Sequence, residues 1–482
     1  MINRKIILLI LGVLLLIESF FLFLSAMVSL LYESTDFRAF IISSLIALTT
    51  GAVTFYFNKN AVRDFGKREG FLIVSLVWVV FSLFGCLPFV LSGEIPSFTN
   101  AFFETMSGFT TTGATIVSDI EGLPHGILFW RSITQWLGGM GIIVLSLAIL
   151  PFLGIGGMQL FSAEVPGLSP DKLHPKIKET AKRLWGLYTL FTIIEIILLY
   201  IGGMSLFDAV NHSFTTMSTG GYSTKQASIA AFSPFIHYVI IAFMFIAGTN
   251  FTLGYFALLG KFDKVWKNEE FRYYLGFTTV FALIITAGLV ITNHTENIEE
   301  AFRIALFQVV SILTTTGYAT SDYLLWAPFL TFLIFALMFF GGSAGSTSGG
   351  VKIVRIVLII KNSYYEFKRL MHPKAVLPVR LNRKIIAEKI VLNILAFMVI
   401  YFIVFIFGVA AMSMLGLDFE TAMGSVIASL SNVGPGIGRV GPVYDYAFLP
   451  DTGKWILSFL MLLGRLELFT VLAIFTPVFW RK

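Results

Sequence analysis

Four short segments place hydroxyl or amide side chains against glycine: Thr111, Thr112 and Gly113; Thr219, Gly220 and Gly221; Thr315, Thr316, Gly317 and Tyr318; Asn432, Val433 and Gly434. Gly113, Gly220, Gly317 and Gly434 align, roughly 100 to 117 residues apart. Such residues could strip water from an alkali cation. A ring of oxygens must then replace the hydration shell, and successive backbone carbonyls can face one axis only if some residues take positive φ, which glycine does without steric cost. Neighbouring hydroxyls add further oxygens. One Thr-Gly pair is an ordinary turn signal; four copies in register with hydropathy are an internal repeat.

Each segment follows a short stretch of helical character, at 101–109, 209–217, 304–313 and 421–430. A helix aimed from the outer face toward the bilayer centre turns its negative end on the cavity and favours a cation there. Apolar runs long enough to span a bilayer fall near 5–31, 38–57, 70–91, 127–152, 184–204, 235–260, 271–292, 326–360, 385–415 and 453–479, about ten in all. The glycine segments lie between runs and are too short to cross and return as two helices. Non-helical backbone at membrane depth must be enclosed by protein or line a cavity. The predicted fold is therefore an all-α polytopic membrane protein. It has four pseudo-fourfold repeats of transmembrane helix, re-entrant pore helix, filter loop and transmembrane helix, preceded by two extra N-terminal transmembrane helices. The expected divisions are 1–68, 69–170, 171–265, 266–375 and 376–482.

Composition agrees. Of 482 residues 56% are hydrophobic and 13% charged, half the charge of a soluble domain. The lone Cys86 excludes an intrachain disulfide and reads as a small buried hydrophobe. The net charge of +6 is spread over turns between spans, around Arg63, around Lys172, Lys176 and Arg183, and from Lys361 to Lys389. With Arg4, Lys5, Arg481 and Lys482 these basic residues place both termini in the cytoplasm; they do not form a nucleic-acid-binding domain. Segments on the other side carry acids such as Glu94, Glu296 and Asp418. Neither paired intramembrane aspartates nor His-Glu metal spacing occurs, so an enzyme is not expected.

The run at 326–360 is interrupted by ten small residues at 341–350, among them Gly341, Gly342, Gly345, Ser346, Gly349 and Gly350. Glycine costs a helix about 1 kcal/mol each against alanine, so a mid-membrane break is expected, and such breaks mark ion paths in transporters. Close helix packing on small residues is the alternative. Arg465 lies inside the last span, where a charge must face the bundle interior. Backbone carbonyls of 341–350 are its expected partners, a buried pair with Glu195 or another acid the alternative. Glu195 is read as the only acid clearly inside a span.

On these segments, together with GGSAGSTSGGVK at 341–352 and GRLELFT at 464–470, the chain resembles the Trk/Ktr/HKT superfamily of potassium transporters over essentially its whole length. The two leading spans are similar to the bacterial TrkH/TrkG branch. The resemblance implies the pore-forming subunit of a potassium uptake system in the bacterial inner membrane. It further implies a homodimer with one pore per protomer, in contact with membrane lipid, and a cytoplasmic ring of TrkA-like nucleotide-binding regulatory subunits. It makes 341–350, held by Arg465, a loop that obstructs the pore below the filter, and potassium the transported ion at the filter residues, with no organic cofactor. Relatives that favour sodium tend to carry serine at the first-loop glycine; Gly113 points to potassium. None of the loops reads TVGYG, so a short selective region centred on the four glycines is expected. A potassium symporter coupled to protons or sodium on the same fold is the rival reading.

Overall fold

A computed structural model describes residues 2–61, 66–141, 177–295 and 297–481. The end of the run predicted near 127–152, the basic residues Arg63, Lys172, Lys176 and Lys482, Glu296 and the division at 170/171 lie outside them.

Arg4–Leu31 and Phe37–Asn58 pair as an N-terminal helical hairpin. Four units follow. Their first helices are Lys67–Gly85, continued by Leu87–Ser92, then Ile177–Ile201, Glu269–Ile291 and Glu388–Met414. Their short second elements are Phe98–Phe109, Leu206–Met217, Ile298–Leu313 and Phe419–Leu430. The short helices begin two to six residues before the predicted stretches, because Ser97, Ser205, Asn297 and Asp418 cap them by accepting from backbone N–H groups of the first turn. The bond from Thr421 N holds the exposed Asp418 carboxyl below its usual range.

The closing helices His125–Gly139, Pro234–Ala247, Pro328–Leu337 and Asp451–Arg465 each have proline at the N-cap or first turn. Proline there loses no hydrogen bond and presets the helical φ. Among the described residues six helices are long and apolar enough to span a membrane, or eight if each bent pair is one span. Leu45, Ile197, Leu283 and Phe407 are among the large apolar side chains left exposed on these helices, as a lipid-facing surface requires.

Two of the closing helices run into sharp bends. Pro234–Ala247 meets Phe251–Leu258 at 111°, and Asp451–Arg465 meets Phe469–Phe475 at 110°. Pro328–Leu337 gives way to an irregular stretch before Ile353–Met371, as expected from the small residues. His125–Gly139 ends just before Gly141, whose φ is 68°. Sequence reasoning found only the third break.

Candidate functional site

Each short helix ends in the same way. After Phe109, Thr112 N donates to Ser107 O and Thr111 N to Gly108 O; the counterparts are Gly220 N to Thr215 O, Thr316 N to Ser311 O and Val433 N to Ala428 O. This six-to-one closure requires a left-handed residue one position earlier. Thr111, Thr219, Thr315 and Asn432 occupy it, with φ of 54°, 53°, 57° and 56°. Asparagine tolerates that region, whereas threonine, branched at Cβ, enters it under strain. Residues held so are found where a site over-determines the backbone.

Two residues on, Gly113, Gly221, Gly317 and Gly434 take φ of 81°, 78°, 80° and 95°. This corrects the alignment of loop 2. Gly221, not Gly220, is the equivalent of Gly113, and Gly220 matches Thr112, Thr316 and Val433. Two adjacent glycines hid the register, which only the φ values reveal.

The four loops close on one another. A Cβ on Gly113 would overlap Gly220 O, one on Gly221 would overlap Thr316 O, one on Gly317 would overlap Val433 O, and one on Gly434 would meet Thr112 O. Each glycine thus lies against the carbonyl oxygen preceding the next loop's glycine, and the cycle returns to its start. The same four glycines line a cavity above the ring, which is its mouth. By connectivity the C-terminal ends of all four short helices meet the ring, and their dipoles make it negative.

Side chains behind the ring fix this backbone. Gln135 Nε2 donates to Gly220 O at 2.7 Å while its Oε1 accepts from Tyr222 N at 3.1 Å. Tyr222 Oη donates to Glu104 O at 2.8 Å, and Tyr446 Oη to Gly434 O at 2.7 Å. Tyr318, expected among the ion ligands, is instead a brace. Its hydroxyl bonds Thr215 and donates to His212 O at 3.1 Å, and its carbonyl accepts Ser311 Oγ at 2.6 Å.

Between loops 1 and 2 Glu104 and Arg131 form a buried ion pair at 2.9 Å, their side chains 0% and 2% exposed. Glu104 also accepts from Thr115 Oγ1 at 3.0 Å and Ile116 N at 2.9 Å. The guanidinium lies 4.1 Å from the Tyr222 ring centre. Sequence reasoning missed this pair, and it missed Glu18, fully buried in the first helix. Glu195, buried beside Thr216, is therefore not the only intramembrane acid. The signal was present: ionisable residues within apolar runs.

Directly beneath the ring lies the 341–350 loop. Gly349 N donates to Thr315 Oγ1 at 2.7 Å, and Thr347 Oγ1 to Met217 O at 3.1 Å. Ser343 N donates to Gly248 O at 2.8 Å, and Gly341 N to Val351 O at 2.9 Å. A Cβ on Gly342 would fall 2.5 Å from Gly248 O, and one on Gly349 2.9 Å from the Asn432 Cβ. Small residues are required here by close approach to the second and fourth repeats. Gly345 and Gly350 supply positive φ, and Ser346 Oγ donates to Ser343 O at 2.6 Å. Arg465 Nη1 donates to Thr347 O at 2.8 Å, and Nη2 to Gly138 O at 2.5 Å and Gly139 O at 3.0 Å. The expected reach to the loop's carbonyls is met, and the same guanidinium ties the loop to the end of the first closing helix. Glu467 pairs with Arg355, which follows the loop.

A single chain that arranges four re-entrant loops as a closed carbonyl ring, with interrupted helices below, defines a polytopic membrane transport protein rather than an enzyme. The chain belongs to the TrkH family of cation transport proteins, whose family model matches residues 36–482. It is 43% identical over 478 residues to the Trk system potassium uptake protein TrkH of Salmonella typhimurium (strain LT2), covering 98% of each. To the Halomonas elongata protein of the same name it is 41% identical over 484 residues, covering 100% of each. The crystal structure of the potassium transporter TrkH from Vibrio parahaemolyticus superposes with a TM-score of 0.90 at 38% identity, covering 100% of both chains.

Proposed function

We propose that the chain is the pore-forming subunit of a potassium uptake system and conducts potassium along the axis of the loop ring. The observation that carries the reading is the closed cycle in which each glycine abuts the next loop's carbonyl. A dehydrated cation on that axis exchanges its hydration shell for backbone oxygens whose positions four loops fix jointly. The names of the relatives supply potassium as the ion. The 341–350 loop acts as the gate, with the Arg465 charge beneath the ring opposing cations until the loop moves. The five sequence divisions correspond to a leading hairpin and four pore units. The protein works in a bacterial inner membrane with both termini cytoplasmic, as a homodimer regulated by TrkA-like subunits on the basic face.

Tracer flux into proteoliposomes tests the reading, with potassium or sodium and with or without a proton gradient. Wild-type protein passes potassium in preference to sodium without the gradient. Gly113→Ser, whose Cβ and hydroxyl intrude on Gly220 O, loses at least about tenfold of that preference, equivalent to about 1.4 kcal/mol. An unchanged preference would refute the ring as the selective element; flux that requires the gradient would favour the symporter.

A further inference from the structure

Where the chain turns between repeats 2 and 3, on the face opposite the mouth, it encloses a cavity of about 590 Å³. The face follows from connectivity: Glu269–Ile291 starts at this turn and ends at the segment entering the third short helix. Lys264, Lys267, Arg272 and Arg383 line the cavity against a single acid, Glu269, and that acid is already ion-paired with Lys361. Lys264 lies 4.3 Å from the Phe256 ring centre. Lys267, Arg272 and Arg383 have no acidic partner among the described residues.

The gathering of these cations is built into the backbone. Arg380–Leu381 pairs with Lys384–Ile385 across Asn382 and Arg383, whose φ of 49° and 64° make a tight hairpin turn. Asn382 Oδ1 accepts from Glu269 N at 2.7 Å, pinning the hairpin to the start of the helix that carries Arg272. Like charges held in one concavity repel unless an anion lies among them. Beside it Leu258, Leu259, Phe262 and Trp266 are each more than half exposed, the arrangement expected where headgroups give way to acyl chains.

We propose that this cavity binds the phosphodiester headgroup of an anionic membrane phospholipid, with Lys267, Arg272 and Arg383 on the phosphate and the apolar rim along the upper acyl chain. Its volume suits a glycerophosphoryl group. Free phosphate would answer the cations and leave the rim unused, so the two sources differ in their dependence on the acyl chains. Potassium conduction plays no part in this argument, so binding and flux can fail separately.

The test is native mass spectrometry of the full chain in detergent with equal amounts of phosphatidylglycerol and phosphatidylcholine of identical chains. Wild-type protein retains phosphatidylglycerol preferentially, and each cation removed among Lys267→Gln, Arg272→Gln and Arg383→Gln lowers the preference about fivefold. Arg383→Gln, on an exposed turn, serves alone if the triple variant does not fold. Equal retention of both lipids by wild type, or a preference unchanged in the variants, overturns the proposal. Loss of the preference on adding millimolar inorganic phosphate would reassign the cavity to a free anion. Displacement of the lipid by a glutamate-rich peptide at tenfold lower concentration would reassign it to an acidic protein partner.

Discussion

Asn432 reaches 320 residues back along the chain, its Nδ2 donating to Thr112 Oγ1 at 3.0 Å and also to Met461 O at 2.9 Å. The fourth loop is thereby fastened both to the first and to its own closing helix. Asn432→Asp retains a residue that tolerates left-handed backbone but replaces the donor by an acceptor. Leaving these buried partners unsatisfied costs about 1–3 kcal/mol. A lower unfolding temperature in detergent and an increased sodium leak in proteoliposomes are expected; unchanged values of both would show that the bond does not hold the ring.

The register of loop 2 gives a paired comparison. Gly221→Ala forces a side chain into left-handed backbone and against Thr316 O, a main-chain atom of the neighbouring loop. Gly220→Ala meets the side chain of Gln135, so that it disturbs that brace and no main-chain atom, and its counterparts Thr112, Thr316 and Val433 already carry side chains. Potassium flux should fall at least about tenfold in Gly221→Ala, the strain alone being about 1–2 kcal/mol, and by less in Gly220→Ala. The reverse order would restore the alignment that sequence suggested.

Arg465→Ala removes three bonds to main-chain carbonyls of the loop and of the first closing helix. Charge-assisted bonds contribute about 1.5–3 kcal/mol each, so the loop loses its strongest tether and the axis its positive charge. Basal potassium flux of the chain without partners should rise at least severalfold. A folded variant with wild-type flux would remove Arg465 from the gate.

The Glu104–Arg131 pair lies behind the ring, so its loss should register first in stability. Arg131→Gln strands a buried carboxylate at a cost of about 3–5 kcal/mol, whereas Arg131→Gln with Glu104→Gln strands none. Thermal unfolding of the two single variants and the double variant should show the double less destabilised than the singles summed. Simple additivity would mean that the two side chains are not coupled.

The class of fold was legible because membrane burial forces long apolar runs, and the four-part plan because the Thr-Gly segments recur between those runs. The break at 341–350 was equally plain, since small residues there exceed what a helix bears. Other features depended on contacts distant in sequence. Two adjacent glycines in loop 2 satisfy the pattern in either register. The break after Ala247 rests on a single glycine, Gly248, which one helix turn can absorb, and the break after Arg465 on Glu467 and Leu468, with φ of 55° and 59°, residues that carry no breaker signal. Tyr318 resembles a filter residue by position, and only its bonds to the second short helix show that it braces.

The contact between Gly434 and Thr112 also sets when during synthesis the ring can close. A nascent chain that has delivered three loops holds an open arc, with Thr112 O and Gly317 facing no neighbour, and a ring assembled from contacts this far apart in sequence closes late. A chain that ends before Asn432 therefore contains three loops and no closed ring.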